Sequence, residues 1–353
     1  MSDLHSEAKL QSQIDKLRSA NTSLQRRLDT VQLEQSHYVA QIYRAAKESM
    51  ASFHFPAITA PKPDTRQKTT ETAIAVLSDF QLGKKTPTYS TKVCAQRIRL
   101  YSEKVKILTD IQRADHPVRD LKVYLVGDIV EGELIFPGQS HRIDASLYRQ
   151  VTTDGPQILG TFLRDMLGYF ETVTVVCVVG NHGAIGGRSR KEYHPESNAD
   201  AMLYRVTALA MKGADLKDEP RLSWSDTMVK GERLWYAVDR IGKYRYFLFH
   251  GDQMRGGGFA GIPHYGFSRA ISSWASGVIP KSFDYAICGH WHQPASFPIN
   301  QRILWVNGSP ESDNEWLREE LKSQSKPSQW LLFAHPDNGV TAEYRVWLDG
   351  STV

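Results

Sequence analysis

Five short segments of the sequence end in side chains that can bind divalent metal ions. Each segment is an apolar run that is followed at once by Asp, Asn or His. The candidate ligands are Asp79, Gln81, Asp128, Asn181, His250, His290 and His292. Asp, Asn and Gln offer oxygen atoms and His offers nitrogen, and two ions need about seven or eight such ligands, with one carboxylate shared. The set therefore predicts a dinuclear metal centre.

Each of these residues alone is a weak signal. An Asp at a strand end often caps the next helix, and an Asn181–His182 pair before a glycine is also typical of a turn. A lone His at a strand end is more often a structural residue than a ligand. The pair His290-x-His292 adds information, because residues two apart need an irregular turn to direct both rings at neighbouring ions.

The segments that must position these residues alternate between strand-like and helix-like patterns. The strand-like runs are AIAVLSD, KVYLVGD, VTVVCVVGN, YRYFLFHGD and DYAICGH, and the predicted helices are Thr91–Gln112 and Gln157–Phe170. This alternation predicts an α/β fold with a buried, partly parallel sheet, and ligand-binding groups gather at the carboxyl ends of the strands of such a sheet. The segment 329–348 predicts a hairpin that turns at Pro336–Gly339.

Residues 1–50 show the heptad pattern of a coiled coil. Neither Gly nor Pro occurs from Ser2 to Ser49, and the seam positions are Leu10, Ile14, Leu17, Asn21, Leu24, Leu28, Val31, Gln35, Tyr38 and Ile42. The seam predicts an N-terminal coiled-coil helix, and its single Asn favours a parallel homodimer. The alternative is a single amphipathic helix that lies on the rest of the protein.

Three prolines and a polar second half predict a linker over residues 51–72, which leaves 73–353 as the catalytic domain. The 43 Lys and Arg residues against 39 Asp and Glu residues give a net charge of +4, which permits nucleic-acid binding without requiring it. We expect no membrane helix and no secretory signal. Three widely separated cysteines fit a reducing compartment, so we expect the protein in the cytoplasm.

The ordered series D-x-Q, GD, GNH, HGD and GHxH, over roughly residues 73–311, resembles that of the calcineurin-like metallophosphoesterase superfamily. A looser similarity is to DNA repair nucleases of the SbcD kind. The superfamily resemblance implies a four-layer sandwich of two mixed β-sheets flanked by helices. It also implies two ions that share one carboxylate, the first bound by Asp79, Gln81, Asp128 and His292 and the second by Asp128, Asn181, His250 and His290. A hydroxide between the ions would attack phosphorus, and His182 would protonate the leaving oxygen or stabilise the transition state.

Two residues depart from the family pattern. Gln81 stands where His is usual, and its carboxamide oxygen suits Mn²⁺ or Mg²⁺ better than Zn²⁺. We therefore expect two divalent ions, Mn²⁺ first, with Mg²⁺ or another transition metal as alternatives. If Gln81 is not a direct ligand, the first ion is weakly held. Gly183 stands where an acidic residue often follows GNH, which bears on ligand orientation. Because the six other ligand types are kept, we expect an active enzyme.

Basic loops beside the predicted site indicate an anionic substrate. The predicted substrate-binding residues are His141 on the loop after GD, and Arg188, Arg190 and Lys191 on the loop after GNH. A solvated surface loop explains the same composition equally well. The leading hypothesis is a DNA exo- or endonuclease, and whether an ATPase partner assists it is left open. The alternatives are a phosphodiesterase or pyrophosphatase of small nucleotides and a catalytically weak assembly factor.

Overall fold

The computed structural model divides the chain into two units, residues 1–44 and residues 45–353. Its description covers residues 11–26, 37, 40–41, 44, 48, 53, 58–133, 135, 138–185, 197–212, 219–225, 235–254, 258, 261–314, 318–319, 322 and 324–350. In the N-terminal unit, residues 11–26 form a helix, α1, on which Ile14, Leu17 and Leu24 are 39%, 70% and 58% exposed. The other apolar seam residues, together with Gln35 and the predicted substrate contacts Arg188, Arg190 and Lys191, lie outside the described residues. Within the described residues, no helix has the length and apolar character that crossing a membrane requires.

The described part of the predicted linker belongs to the larger unit. Residues 58–70 form neither helix nor strand. The guanidinium group of Arg66 donates hydrogen bonds to the carbonyl oxygens of Arg113 and His116, at 2.7 and 3.2 Å. The backbone N–H of Asp64 donates to Oε1 of Glu171 at 2.8 Å. These contacts fix the segment that enters the first strand.

The first sheet has the order β11-β10-β1-β2-β3-β4. Four parallel strands form one side of it: β1 Glu71–Leu77, β2 Val118–Val126, β3 Thr172–Val178 and β4 Leu222–Trp224. The antiparallel pair β10 Ser328–His335 and β11 Gly339–Trp347 extends it beyond β1. Residues 73–77 are fully buried, as expected for a parallel strand covered on both faces.

The second sheet has the order β5-β6-β7-β9-β8. Its strands are β5 Tyr236–Ile241, β6 Tyr244–Phe249, β7 Tyr285–Cys288, β8 Ala295–Ile299 and β9 Arg302–Val306. The central strands β6, β7 and β9 are parallel and the edge strands β5 and β8 are antiparallel to their neighbours. Both sheets are therefore mixed.

Four layers result from the packing of these sheets and helices. One core cluster joins the sheets face to face, with Val76 and Val126 from the first sheet and Leu248 and Trp305 from the second. On the outer face of the second sheet, Phe267 of α6 (His264–Ser273) packs in a second core cluster. The remaining helices are α2 Thr91–Arg113, α3 Leu147–Arg149, α4 Gly155–Leu167 and α5 Ala199–Ala210, with a π-helical turn Gln150–Asp154 between α3 and α4. The predicted two-sheet α/β fold is confirmed.

Candidate metal centre

The backbone after the strands adopts an unusual conformation at the predicted ligands. In the described residues, eight residues other than glycine have a positive φ, and five of them are Asp79, Gln81, Asp128, His290 and His292. Such φ values cost free energy for residues with a Cβ atom and cluster at functional sites, where the surrounding structure maintains them. The turns after β1 and β2 are also joined, because Asp79 and Gln81 donate backbone hydrogen bonds to Gly127 and Asp128 at 3.0 and 3.1 Å.

Two glycines allow the buried carboxylates to approach the neighbouring turns. A Cβ atom at Gly180 would lie 2.1 Å from Oδ1 of Asp128, and one at Gly289 would lie 2.3 Å from Oδ2 of Asp79. Neither position therefore accepts a side chain while these carboxylates keep their places. The glycine of the GNH motif thus leaves room for Asp128, and the glycine of the GHxH motif leaves room for Asp79.

Four predicted ligands form what we call the Asn181 half: Asp128, Asn181, His250 and His290. Nε2 of His250 lies at its centre, 3.0 Å from Oδ2 of Asp128, 3.1 Å from Oδ1 of Asn181 and 3.3 Å from Nδ1 of His290. Nδ1 of His250 faces the carbonyl oxygen of Val126 at 2.8 Å, which directs Nε2 into the site. In the described part of the chain, Asp128, His250 and His290 are the group of His, Cys, Asp and Glu residues whose spacing suits a metal ion.

The Gln81 half consists of Asp79, Gln81, His292 and, again, Asp128. Nε2 of His292 lies 3.3 Å from Oδ1 of Asp79, and Nε2 of Gln81 lies 3.3 Å from Oδ2 of Asp128. The backbone N–H of His290 donates to Oδ1 of Asp79 at 2.9 Å. Oδ2 of Asp128 thus contacts a residue of each half, as a bridging carboxylate would.

The residues present fit divalent metal ions. Oε1 of Gln81 is buried and has no hydrogen-bond partner among the described residues, a costly arrangement for a carbonyl oxygen unless it binds a cation. Ligand atoms in neighbouring positions of an octahedral ion, each about 2.1 Å from the metal, are about 3 Å apart. The contacts of Nε2 of His250 at 3.0 to 3.3 Å, and that of Nε2 of His292 with Asp79 at 3.3 Å, match that spacing.

The pKa values of the histidines show how strongly the carboxylates act on the site. Burial alone lowers the pKa of His250, but the carboxylate of Asp128 outweighs it and raises the pKa to about 10. At His292, burial is outweighed by Asp79 and Glu311, and the pKa rises to about 9. Because only a neutral ring can bind a metal, a bound cation must displace these protons, and its positive charge takes their place.

His182 projects beside the metal centre and is oriented by two groups. Its backbone N–H donates to Oδ1 of Asp128 at 2.8 Å. Its Nδ1 lies 2.9 Å from the carbonyl oxygen of Glu131 and 3.3 Å from Oε2 of the same residue. Burial lowers the pKa of His182, but Asp128 and Glu131 raise it to about 9. In the absence of a bound cation, the two carboxylates therefore favour the protonated ring. Glu131, three residues after Asp128, was missed in the sequence analysis.

Asp200 is a second acidic residue that sequence reasoning missed. Its carboxylate is fully buried at the start of α5 and accepts backbone hydrogen bonds at 2.9 to 3.1 Å from Asp128, Ile129, Val130 and Gly180. The N-cap Asn198 in turn accepts from the backbone N–H of Asp200. The turns that carry Asp128 and Asn181 are thus fastened to one carboxylate. Gly183 itself, where an acidic residue is common, lies close to Asp200, because its carbonyl oxygen accepts a backbone hydrogen bond from the neighbouring Ala199.

Glu311, in the segment after β9, is a third missed acidic residue. Its Oε2 lies 3.0 Å from Nδ1 of His292, and its Oε1 lies 2.7 Å from Nζ of Lys84. Burial raises the pKa of Glu311, but Lys84 and His292 outweigh burial and lower it to about 2. An ionised carboxylate therefore lies directly behind the Gln81 half.

The predicted substrate residue His141 is exposed, in the turn Gln139–His141. That loop runs beside the turn after β1, since Lys85 donates a backbone hydrogen bond to Arg142 at 2.9 Å. Gln139, by contrast, is buried and donates to the backbone oxygen of Glu131 at 2.8 Å. Lys85, His141 and Arg142 are exposed on these two loops, and we call these three residues the rim.

Solved structures of similar fold include phosphoesterase-like proteins. Vacuolar protein sorting 29 from Cryptosporidium parvum is 12% identical over 79% of this chain and 99% of that chain, with a TM-score of 0.37. A predicted phosphoesterase from Streptococcus pneumoniae is 13% identical over 79% and 99% of the two chains, with a TM-score of 0.29. A novel archaeal phosphodiesterase is 11% identical over 78% and 99%, with a TM-score of 0.32. No protein-family model matches the chain, and no curated protein does.

The structure places the five motifs at the ends of β1, β2, β3, β6 and β7. The two mixed β-sheets that the resemblance implied are confirmed. A closer similarity to SbcD-type nucleases stays a prediction.

Proposed function

We propose that the protein hydrolyses phosphodiesters with two divalent metal ions bound in the Asn181 half and the Gln81 half. The observation that carries this proposal is the convergence of ligand atoms from Asp128, Asn181 and His290 on Nε2 of His250, at 3.0 to 3.3 Å. The buried, unpaired Oε1 of Gln81 supports the other half. Divalent ions bound there supply an activated water and stabilise the negative charge of the phosphate oxygens.

The residues of the chain divide the remaining work. Asp128 keeps the two halves together and holds the backbone N–H of His182 at 2.8 Å. Since Nδ1 of His182 faces the carbonyl oxygen of Glu131, that nitrogen carries a hydrogen and Nε2 is left to act on the substrate. Protonated His182 donates from Nε2 to the leaving oxygen. The ligands thus bind the ions, and His182 transfers the proton.

Manganese is the ion we propose for both positions, with magnesium as the alternative. The Gln81 half contributes two carboxylates, one amide and one imidazole, a predominantly oxygen set that suits Mn²⁺ or Mg²⁺ better than Zn²⁺.

For the substrate, we propose DNA. The rim consists of the exposed residues Lys85, His141 and Arg142 on two loops joined by a backbone hydrogen bond. Cationic groups spread beyond a catalytic centre suit a chain of phosphates better than one small nucleotide, because each can contact a flanking phosphate. Small nucleotides are the competing substrate class.

A homodimer through α1 completes the proposal. Ile14, Leu17 and Leu24 are exposed on the described helix at heptad spacing, which suits pairing with a second copy. The three cysteines are free and buried, which suits a reducing compartment such as the cytoplasm. Light scattering should show a dimer for the full chain and a monomer after deletion of residues 1–50, and a monomeric full chain at micromolar concentration would contradict the dimer.

Substrate profiling with Mn²⁺ tests the proposed activity. The full chain should cleave a chromogenic phosphodiester and labelled DNA, and chelation should abolish both activities. Turnover of cyclic or other small nucleotides with DNA untouched would replace DNA as the substrate. The absence of hydrolysis with any divalent ion, together with less than one bound metal per chain, would contradict the proposal and favour an assembly factor.

A matched pair of double variants tests the proposed DNA contacts. Lys85→Gln with Arg142→Gln removes two positive charges from the rim, whereas Arg99→Gln with Lys106→Gln removes two from α2. The rim variant should bind DNA about tenfold more weakly and with a shallower salt dependence, while hydrolysis of the small chromogenic diester stays unchanged. Equal effects of the two variants would contradict a DNA path across this rim.

A further inference from the structure

Glu311 is buried directly behind one predicted ligand of the Gln81 half. Its side chain is 1% exposed, and its Oε2 lies 3.0 Å from Nδ1 of His292. The other ring nitrogen of His292, Nε2, faces Asp79 at 3.3 Å. The imidazole thus lies between a carboxylate at its back and the metal centre at its front. A carboxylate in that position orients a histidine ligand and increases its basicity.

Several contacts hold the Glu311 carboxylate in place. Nζ of Lys84 lies 2.7 Å from Oε1, and Nδ2 of Asn314 donates to Oε2 at 3.0 Å. The hydroxyl of Ser309 accepts from the backbone N–H of Glu311 at 2.9 Å and donates to the carbonyl oxygen of Asp79 at 2.6 Å. Because the same Ser309 hydroxyl contacts both residues, Glu311 is held in register with the turn that carries Asp79.

The outer side of the loop is fastened as well. Arg97 of α2 donates to the carbonyl oxygen of Pro310 at 2.6 Å and to the hydroxyl of Ser312 at 2.9 Å. Thr86, in the turn that follows Lys84, donates to the carbonyl oxygen of Ser312 at 2.9 Å. The loop around Glu311 is therefore fixed from two directions.

The support behind His250 in the Asn181 half is of a different kind. His250 has the carbonyl oxygen of Val126 at its back, which is neutral. Each half has one neutral amide ligand, but the Asn181 half has two histidines and the Gln81 half has one, His292. A charged group backs that one histidine, and a more basic imidazole is a stronger metal ligand.

We infer that Glu311 is a positioning residue that fixes and strengthens His292, so that the Gln81 half keeps its metal ion with one histidine ligand. This inference rests on the proposed function, because it assumes that His292 binds a metal. It adds that the two metal positions differ in the groups that support their histidines, and that Glu311, which is not a ligand, causes this difference.

Metal binding by Glu311→Gln tests the inference, with Glu71→Gln as the matched control. Glu71 is also a buried glutamate, but its carboxylate accepts hydrogen bonds from Gln112 and Thr341, away from the metal centre. The full-length proteins are titrated with Mn²⁺ by calorimetry, and their metal content is measured by elemental analysis. Electron paramagnetic resonance separates coupled pairs of Mn²⁺ ions from isolated ions.

The wild type and Glu71→Gln should each bind two Mn²⁺ ions as a coupled pair. Glu311→Gln should keep one ion and bind the other about 10- to 100-fold more weakly, with the signal of isolated Mn²⁺. Glu311→Asp keeps the charge but withdraws it by one methylene, so it should show a smaller loss in the same position. This second variant, together with the ion that remains bound, shows that the fold is intact.

Two results would overturn the inference. One is binding of both ions by Glu311→Gln with the affinity of the wild type. The other is an equal loss of both ions in the two Glu311 variants, which would make Glu311 a general support of the fold. A wild-type protein that binds no metal is distinguishable from both results, and it would overturn the proposed function together with this inference.

Discussion

The Asn181 half and the Gln81 half share Asp128 but are built in different ways. In the Asn181 half, ligand atoms surround a single nitrogen, Nε2 of His250, and a backbone carbonyl oxygen holds that ring. In the Gln81 half there is one histidine, and the ionised carboxylate of Glu311 backs it. The comparison teaches that two positions with similar ligands can differ in the groups behind those ligands, which orient a histidine and set its basicity.

The shared carboxylate gives the largest expected effect. Asp128→Ala removes a contact from both halves, since Oδ2 of Asp128 lies 3.0 Å from His250 and 3.3 Å from Gln81. Phosphodiester hydrolysis should fall about 1,000-fold, because the metal ions supply several kcal/mol of transition-state stabilisation. Elemental analysis should show that both ions are lost. If only one ion is lost, Asp128 does not bridge the halves.

The next largest effect should separate proton transfer from metal binding. His182→Ala should lower kcat about 100-fold and leave two ions bound, because His182 contacts the ligand Asp128 without belonging to either half. Glu131→Gln should give a smaller loss, since the backbone oxygen of Glu131 still faces Nδ1 of His182. Steady-state kinetics at saturating Mn²⁺ measures both variants. Loss of a metal ion in His182→Ala would place His182 among the ligands.

Asp200 supports the Asn181 half through the backbone, so its substitution should appear in stability. Asp200→Asn replaces a carboxylate that accepts four backbone hydrogen bonds with an amide that has one acceptor oxygen. The free energy of unfolding should fall by about 2 kcal/mol. Urea denaturation at constant Mn²⁺ measures this. Asp165→Asn is the control, because the carboxylate of Asp165 is partly buried and accepts a hydrogen bond from the side chain of Ser102. Equal stability of the two variants would show that the four bonds do not hold the turns.

The smallest effect should come from making the two halves more alike. Gln81→His replaces the neutral amide with an imidazole, which Zn²⁺ prefers. The affinity of the Gln81 half for Zn²⁺ should therefore rise about tenfold, or by about 1.4 kcal/mol. Competition between Zn²⁺ and Mn²⁺, followed by calorimetry, measures the shift. An unchanged preference for Mn²⁺ would indicate that Gln81 does not contact the ion, and that its buried Oε1 has another role.

The sequence predicted the fold and the convergence of the five motifs, because both follow from the local pattern of apolar and polar residues. Apolar runs predict buried parallel strands, and the carboxyl ends of neighbouring parallel strands lie at one edge of a sheet. The irregular turn of the GHxH motif was also predicted from its spacing, and His290 and His292 do have positive φ values.

The supporting carboxylates could not be predicted, because they reach the centre from distant parts of the chain. Asp200 lies 72 positions from the backbone N–H of Asp128 that it binds, and Glu311 reaches His292 only through the loop after β9. No spacing rule connects such pairs. Glu131 was the one with a local signal, since it follows Asp128 by three residues within the same turn.

Anomalous diffraction at the manganese edge, from crystals soaked in Mn²⁺, tests the central claim most directly. The account predicts two peaks that share Asp128, one in contact with His250 and His290 and the other in contact with Gln81 and His292. The peak in the Gln81 half should be the first to weaken as the Mn²⁺ concentration is lowered. A single peak, or none among these residues, would contradict the two-ion centre.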